Sequence, residues 1–202
     1  MSHPEVGPTG SETTISAKFL KLDAPSSQFW AIRALPLQIV ATAPSLETKL
    51  NPLVGDARPL SDWLTTFPLI LGVIDPYTHE SGWLLDTFER IFHHFRGSDA
   101  RVSWLVTSNE AGAKKFLGPL AEEYLTFADP DRTMVKSLDL ETLPALVVIK
   151  QDGSIVASAE GWDPSTWRPV TEMLASLTHW SRPTIPSDGD PVPYPGTPAD
   201  GT

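Results

Sequence analysis

The order of the apolar segments in the middle of the chain constrains its fold more than any other feature. Residues 67–75 form a continuous apolar run, which is typical of a central strand covered on both faces. A strongly amphipathic helix is predicted next, with Leu84, Phe88, Ile91 and Phe95 at helical spacing. The buried strand and the helix therefore predict the first half of a βαβ unit.

Two further segments complete this unit. Residues 101–107 alternate in polarity and place Val102, Trp104 and Val106 on one face, which predicts a second strand. A helix is predicted from about 110 to 124. Because strand, helix, strand and helix follow one another, the two strands are expected to be parallel.

The next part of the chain predicts a different arrangement. Residues 146–149 and 154–158 are apolar segments joined by an Asp-Gly turn, which is a strong hairpin signal. A final helix is predicted to begin with Asp163 as N-cap and Pro164 at its first position. A hairpin followed by a helix therefore completes an α/β domain.

The N-terminal part is predicted to lie outside that domain. Residues 1–14 are polar and are expected to form a flexible arm. Residues 15–60 are interpreted as an N-terminal extension of strands and loops, with strands predicted at 15–22 and 35–40. This extension is a candidate for contact with a partner.

The C-terminal part is predicted to be a disordered, proline-rich tail. The domain is assigned to residues 61–180 and the tail to residues 181–202, which contain six prolines. Such a composition favours an extended, solvated chain. The alternative is a docking segment, because Pro-Val-Pro-Tyr-Pro could lie in an aromatic groove of a partner.

Composition excludes several classes of function. The chain has no cysteine, so disulfides, zinc–thiolate sites and iron–sulfur clusters are excluded within it. Its net charge of −10 argues against nucleic-acid binding, because phosphate backbones are repelled. No apolar run reaches the ~18 residues that a membrane span needs. The N-terminus lacks the pattern of a secretory signal, so the protein is expected to be cytoplasmic and not membrane-spanning.

The order of elements and several single residues resemble the thioredoxin-like superfamily over residues 61–178. Thr78 and Ser81 stand where that superfamily has its Cys-x-x-Cys pair, and Pro144 stands where it has a cis-proline. The resemblance implies a central mixed sheet flanked by helices. It also implies that Leu143, just before the proline, offers its backbone N–H and C=O to an extended partner peptide.

Other residues of the resemblance point to the fold and away from its usual chemistry. The turn at Asp129 is similar to an aspartate-containing turn of peroxiredoxin and TlpA-type relatives, and Gly161 matches a glycine common in the superfamily. Gly72 falls where thioredoxins carry a buried carboxylate, and Tyr77 where tryptophan is usual. Because the thiolate is the attacking species, thiol–disulfide exchange is excluded for this chain.

Residues 78–81, which stand in place of the Cys-x-x-Cys pair, are called the degenerate motif. The candidate binding site is formed by this motif and the residues expected near it. Polar side chains at a helix N-terminus either cap the helix, with Thr78 as N-cap, or contact a peptide or an anion. Tryptophans beside the motif either pack in the core or form an exposed interaction patch. The candidate binding residues are Tyr77, Thr78, His79, Glu80, Ser81, Trp83, Leu143, Pro144 and Trp162.

No cofactor, metal or catalytic residue is predicted. His93 and His94 are adjacent on a helix and point about 100° apart, so they do not easily share a metal ion. The sequence therefore predicts a redox-inactive thioredoxin-like protein that acts through a protein partner. Its expected role is that of an assembly factor, a chaperone or an accessory subunit of a larger complex, for example of a redox enzyme. The alternatives are a small-ligand or anion binder, or an enzyme without thiol chemistry in the cleft at Thr78, Ser81 and Pro144.

Overall fold

The computed structural model describes residues 39–201, which contain a seven-stranded mixed sheet with helices packed on both faces. Its strands, in chain order, are β1 (Lys49–Pro52), β2 (Arg58–Pro59), β3 (Leu69–Ile74), β4 (Arg101–Val106), β5 (Leu125–Ala128), β7 (Ala145–Ile149) and β8 (Ile155–Glu160). They lie in the order β2-β1-β5-β4-β3-β7-β8. A separate two-stranded sheet joins β6 (Thr142–Leu143) and β9 (Thr197–Pro198).

Seven helices are assigned in the described residues, and most of them are short. They are α1 (Leu60–Trp63), α2 (His79–Trp83), α3 (Leu85–Phe95), α4 (Glu110–Leu117), α5 (Leu120–Glu123), α6 (Thr133–Ser137) and α7 (Pro164–Leu177). Among residues 39–201 no helix combines the length and the apolar character that crossing a bilayer requires.

Strand β3 lies in the interior of the sheet, between β4 and β7, as its apolar run predicted. It pairs in parallel with β4 and antiparallel with β7, and all six of its residues are buried. Because side chains alternate along a strand, Ile70 and Ile74 enter the core under α3 and α7. Leu69, Leu71 and Val73 enter the second core, on the other face. The predicted βαβ unit and the β7–β8 hairpin are confirmed.

Two predicted helices are each divided in two. The helix after the degenerate motif breaks at Leu84, which ends α2 and precedes α3. The helix predicted over 110–124 breaks at Gly118, whose φ is 56°, and Pro119 follows it. Proline lacks an N–H and a positive φ suits glycine, so the α4 hydrogen-bond ladder ends there. The predicted start of α7 is confirmed, since Asp163 accepts a hydrogen bond from the Ser165 amide at 2.8 Å.

The N-terminal extension is only partly described. The arm 1–14 and the strand predicted at 15–22 lie outside the described residues, as does most of 35–40, whose last two residues are not in a strand. Strand β1 instead begins at Lys49 and extends the sheet by pairing antiparallel with β5. Sequence reasoning did not predict β5, because its four residues carry too short a pattern to distinguish a strand from the end of a helix.

The C-terminal segment, residues 181–201, is ordered on the domain, so the prediction of a disordered tail is wrong for these residues. Ile185 and Ala199 are buried, and β9 pairs with β6. The segment has too few apolar residues to form a core of its own. It is ordered because it adds a few buried side chains and backbone hydrogen bonds to a core that already exists.

Candidate functional site

The two hydroxyls of the degenerate motif are hydrogen-bonded to their own loop. The Thr78 hydroxyl donates to the Asp75 carbonyl and the Ser81 hydroxyl, at 3.1 Å each. The buried Ser81 hydroxyl also accepts from the Asp75 amide at 2.9 Å. Thr78 is the N-cap residue of α2, but its side chain makes no capping bond, which corrects the expected capping role. Neither hydroxyl is paired with a base that could activate it, since His79 is exposed and takes no part in these bonds.

Gly72 lies where the superfamily resemblance placed a buried carboxylate, and the structure has no room for one. A Cβ atom added at Gly72 would lie 2.7 Å from Phe92 Cζ and 2.9 Å from Phe88 Cε1. The Phe88, Phe92 and Trp104 rings pack against one another, with centroids 4.6 to 5.9 Å apart. An aromatic cluster therefore fills the space in which a proton-transfer group would stand.

Asp75 is a structural anchor next to the motif. Its buried carboxylate accepts from the Tyr77 amide at 3.0 Å and from an Arg132 guanidinium nitrogen at 2.7 Å. The same guanidinium donates to the Ala199 carbonyl at 2.8 Å. Arg132 therefore connects the loop of the degenerate motif to the C-terminal segment.

Asp129 holds the turn after β5. Its carboxylate accepts from the backbone amides of Thr133, Met134 and Val135 at 2.7 to 3.1 Å. Burial nevertheless raises the pKa of this carboxyl, and the three amides oppose that shift. The residue therefore orders α6 and makes no contact with the motif hydroxyls.

The tryptophans and the tyrosine near the motif differ in burial. Tyr77 is 76% exposed and Trp83 is 57% exposed, whereas Trp162 is buried. Of the two tryptophans beside the motif, Trp83 is therefore exposed, whereas Trp162 belongs to the core. Trp162 donates its Nε1–H to the Pro191 carbonyl at 2.8 Å.

Leu143 and Pro144 lie where the chain meets its own C-terminal segment. Both are buried, and the Leu143–Pro144 peptide bond is cis, as the resemblance implied. Leu143 pairs with Thr197 in the two-stranded sheet. The Thr197 hydroxyl also donates a hydrogen bond of 3.3 Å to the Leu143 carbonyl oxygen. The backbone expected to receive a partner peptide therefore pairs with a strand of this chain.

Tyr194 connects three of the predicted site residues, and sequence reasoning missed it. Its hydroxyl donates to the Glu80 carbonyl at 2.7 Å, and its ring contacts Trp83 edge-on at 5.7 Å between centroids. Its backbone exchanges two hydrogen bonds of 2.9 Å with Trp162. Burial, with a smaller effect of the Glu80 charge, raises the pKa of the phenol, which keeps it protonated as a donor. The available sequence signal is the Pro-Val-Pro-Tyr-Pro stretch, which predicts a solvated tail or, as the alternative, a segment that docks on a partner.

Asp190 fixes the beginning of the same stretch. Its carboxylate accepts from the Thr87 hydroxyl at 2.7 Å and the Ser187 amide at 2.7 Å, and it forms an ion pair with Arg90. No sequence motif marks this set, because Thr87 and Arg90 are about a hundred residues from Asp190 along the chain.

Neither a metal-binding cluster nor the groove beside α5 and β5 involves the predicted site residues within the described part of the chain. Within residues 39–201 no group of His, Asp or Glu side chains is arranged to hold a metal ion. A groove of about 740 Å³ exists elsewhere, beside α5 and β5, and none of the predicted site residues lines it. The site therefore consists of internally bonded hydroxyls, two exposed aromatic side chains and a backbone edge that pairs with a strand.

Comparisons with known proteins agree with this architecture. No family model and no curated protein matches the chain. Solved structures do match, and one is a putative thiol:disulfide interchange protein DsbE from Chlorobium tepidum. It has a TM-score of 0.56 and 17% identity over 70% of this chain and 99% of that protein.

Two further matches have the same character. DsbF of MTB has a TM-score of 0.55 and 14% identity over 68% of this chain and 100% of that chain. Bacterioferritin comigratory protein of Xanthomonas campestris has a TM-score of 0.55 and 12% identity over 72% and 99%. Identities this low establish the fold and leave the activity open. The described part of the protein therefore has a thioredoxin-like fold, and the chain contains no cysteine.

Proposed function

We propose that this protein acts by binding another protein at the degenerate motif, as an assembly factor, chaperone or accessory subunit of a larger complex. The observation that carries the proposal is the exposure of Tyr77 and Trp83 beside hydroxyls that are bonded internally. Thiol chemistry is excluded for this chain because it has no thiolate. The motif can therefore act through its exposed surface, by contact with another protein.

Exposed aromatic residues favour a protein partner over a small anion. Tyrosine and tryptophan are enriched among the residues that dominate binding energy at interfaces. The Glu80 carboxylate lies beside the motif and would repel an anionic ligand. The proposal keeps a cytoplasmic location and the absence of nucleic-acid binding as predictions, the latter from the net charge of −10.

The test is a capture experiment with matched variants. The tagged protein is retrieved from its native cells at mild salt, and bound proteins are identified by mass spectrometry and native mass. The double variant Tyr77→Ala/Trp83→Ala removes the exposed pair. The control, Trp180→Ala, removes a tryptophan that is also exposed, at 43%, but contacts Gly97 and His94 instead of the motif.

We expect a stoichiometric partner with wild type and the control, and at least about tenfold weaker capture by the double variant, as truncated hot spots imply. Thermal melts check that both variants are folded. Equal capture by all three proteins would place the interface elsewhere. Recovery of wild type alone, as a clean monomer, would contradict the proposed function.

A further inference from the structure

The C-terminal segment lies on the face to which the proposed function assigns partner binding. We call residues 190–199 the docking segment. Its two ends are held by Asp190, which pairs with Arg90, and by Ala199, whose carbonyl accepts from Arg132. Between them it contacts Glu80, Trp83, Leu143 and Trp162. Four of the nine predicted site residues are therefore in contact with this chain's own segment.

The docking segment makes the kind of contacts that an extended foreign peptide makes. Strand β9 pairs antiparallel with β6, and Tyr194 exchanges backbone hydrogen bonds with Trp162 in both directions. Main-chain pairing supplies the affinity in peptide recognition of this kind, and side-chain contacts supply the specificity. The segment thus occupies a peptide-binding edge.

The side chains of the docking segment define a recognition pattern. A carboxylate at Asp190 meets Arg90, and four residues later the Tyr194 ring contacts Trp83. Two residues further on, Gly196 comes so close to the face that a Cβ atom would lie 2.7 Å from the Leu143 carbonyl oxygen. Gly161, on the opposite side of this contact, lies just as close to the docking segment, since a Cβ atom there would lie 2.5 Å from the Pro195 carbonyl oxygen. An acidic residue, an aromatic residue and a glycine at this spacing are therefore what the face accepts.

The docking segment exposes much of its outer side to solvent. Val192 is 81% exposed, Pro193, Pro195 and Pro198 are exposed, and β9 has only two residues. A short segment held in this way can open without disturbing the main sheet, because local stability follows local burial and bonding. Its tether gives it a high effective concentration, so it competes with any peptide supplied from outside.

We propose that the docking segment is an internal ligand, and that the partner replaces it with an extended, proline-rich segment of the same pattern. This inference rests on the proposed function and names the kind of partner. The partner segment carries an acidic residue, an aromatic residue four positions later and a glycine two positions after that. In the free protein the docking segment covers the edge.

Gly196→Ala is the variant that opens the edge without altering it. Its methyl group would meet the Leu143 carbonyl, and its φ of 88° is unfavourable for alanine. Gly189→Ala is the matched control, because its φ of 93° brings a similar backbone cost while nothing lies within 4 Å of the added carbon. Asp190→Asn is a second opening variant that weakens the pairing with Arg90. Hydrogen exchange at the Tyr194 amide reports release.

The probe is a fluorescent synthetic peptide with the sequence of residues 190–201, titrated into the full-length proteins. We expect at least about tenfold tighter binding to Gly196→Ala than to wild type or Gly189→Ala, because the apparent Kd equals the intrinsic Kd divided by the open fraction. A peptide with alanine in place of its glycine should not bind. Release of the segment without peptide binding would overturn the inference, as would unchanged protection of Tyr194 in both opening variants.

A second measurement separates this inference from the proposed function. The partner found by capture should bind Gly196→Ala more tightly than it binds Gly189→Ala. If it binds both equally, the proposed function stands and the inference fails, because the partner then does not compete with the docking segment. If wild type and variants capture nothing, the proposed function fails, and the peptide titration still decides whether the edge is a peptide site.

Discussion

At the scale of single residues, the motif carries hydroxyl groups where thiol chemistry would need cysteines. The Thr78 and Ser81 hydroxyls are hydrogen-bonded to each other, and the Asp75 amide donates to the Ser81 hydroxyl, which closes the loop. Gly72 is the third departure, because the aromatic rings beside it leave no room for a side chain. Introducing cysteines at positions 78 and 81 alone would therefore leave the site without a carboxylate at position 72.

Gly72→Ala should destabilise the protein by about 1–2 kcal/mol. Overpacking a core costs about 1–3 kcal/mol, and the lower chain entropy of alanine in the unfolded state offsets about 0.4–1 kcal/mol. The matched control is Gly82→Ala, because nothing lies within 4 Å of the carbon it adds to α2. That control should be neutral or stabilising by up to about 1 kcal/mol. Denaturant unfolding measures the free energy of unfolding of both variants. Equal values would show that the Phe88 and Phe92 rings move aside at little cost.

At the scale of elements, the strand-to-helix junctions position the site. Asp129 follows β5 and binds three amides at the start of α6, which holds Arg132 next to Asp75. Its aspartate-containing turn was recognised from the sequence as a resemblance. The structure shows its physical role, which is to satisfy amide groups that a helix start leaves unpaired.

The stability that Asp129 contributes should decrease as pH rises. Burial raises the folded-state pKa above the ordinary value of 3.8, so the folded state holds the proton more tightly than the unfolded state. Its contribution is therefore full below pH 3.8 and is lost as pH rises through the folded pKa. Denaturant unfolding of wild type and Asp129→Asn between about pH 4 and pH 7 should show the deficit of the variant shrinking. A deficit that grows with pH would mean that the three amide bonds outweigh burial.

At the scale of the whole molecule, the C-terminal segment joins parts that are far apart in sequence. Tyr194 and Glu80 are separated by 114 positions, and Arg132 bonds both Asp75 and Ala199. The Arg132–Asp75 pair is largely buried, with side-chain exposures of 12% and 4%. A buried pair is costly to break, because one charge is left without its partner.

Arg132→Ala should destabilise the protein by about 3 kcal/mol, in line with the loss of one partner of a buried ion pair. It should also speed hydrogen exchange at the Ala199 amide, which is bonded to the Glu141 carbonyl. The control is Arg96→Ala, whose ion pair with Glu123 has side-chain exposures of 52% and 40%. Exposed pairs contribute about 0–1 kcal/mol. Equal losses in the two variants would argue that the bridge at Arg132 does not hold the segment.

The sequence by itself determined the central strand, the amphipathic helices, the Asp163 cap and the exclusion of thiol chemistry. Local periodicity, capping residues and the absence of cysteine carry this information, so no knowledge of distant contacts is needed. Only the tertiary structure decided that the proline-rich segment is ordered and that Tyr194 meets Glu80, Trp83 and Trp162. Composition measures whether a segment can form its own core. It does not reveal that residues far away along the chain offer backbone groups and an aromatic contact to the segment.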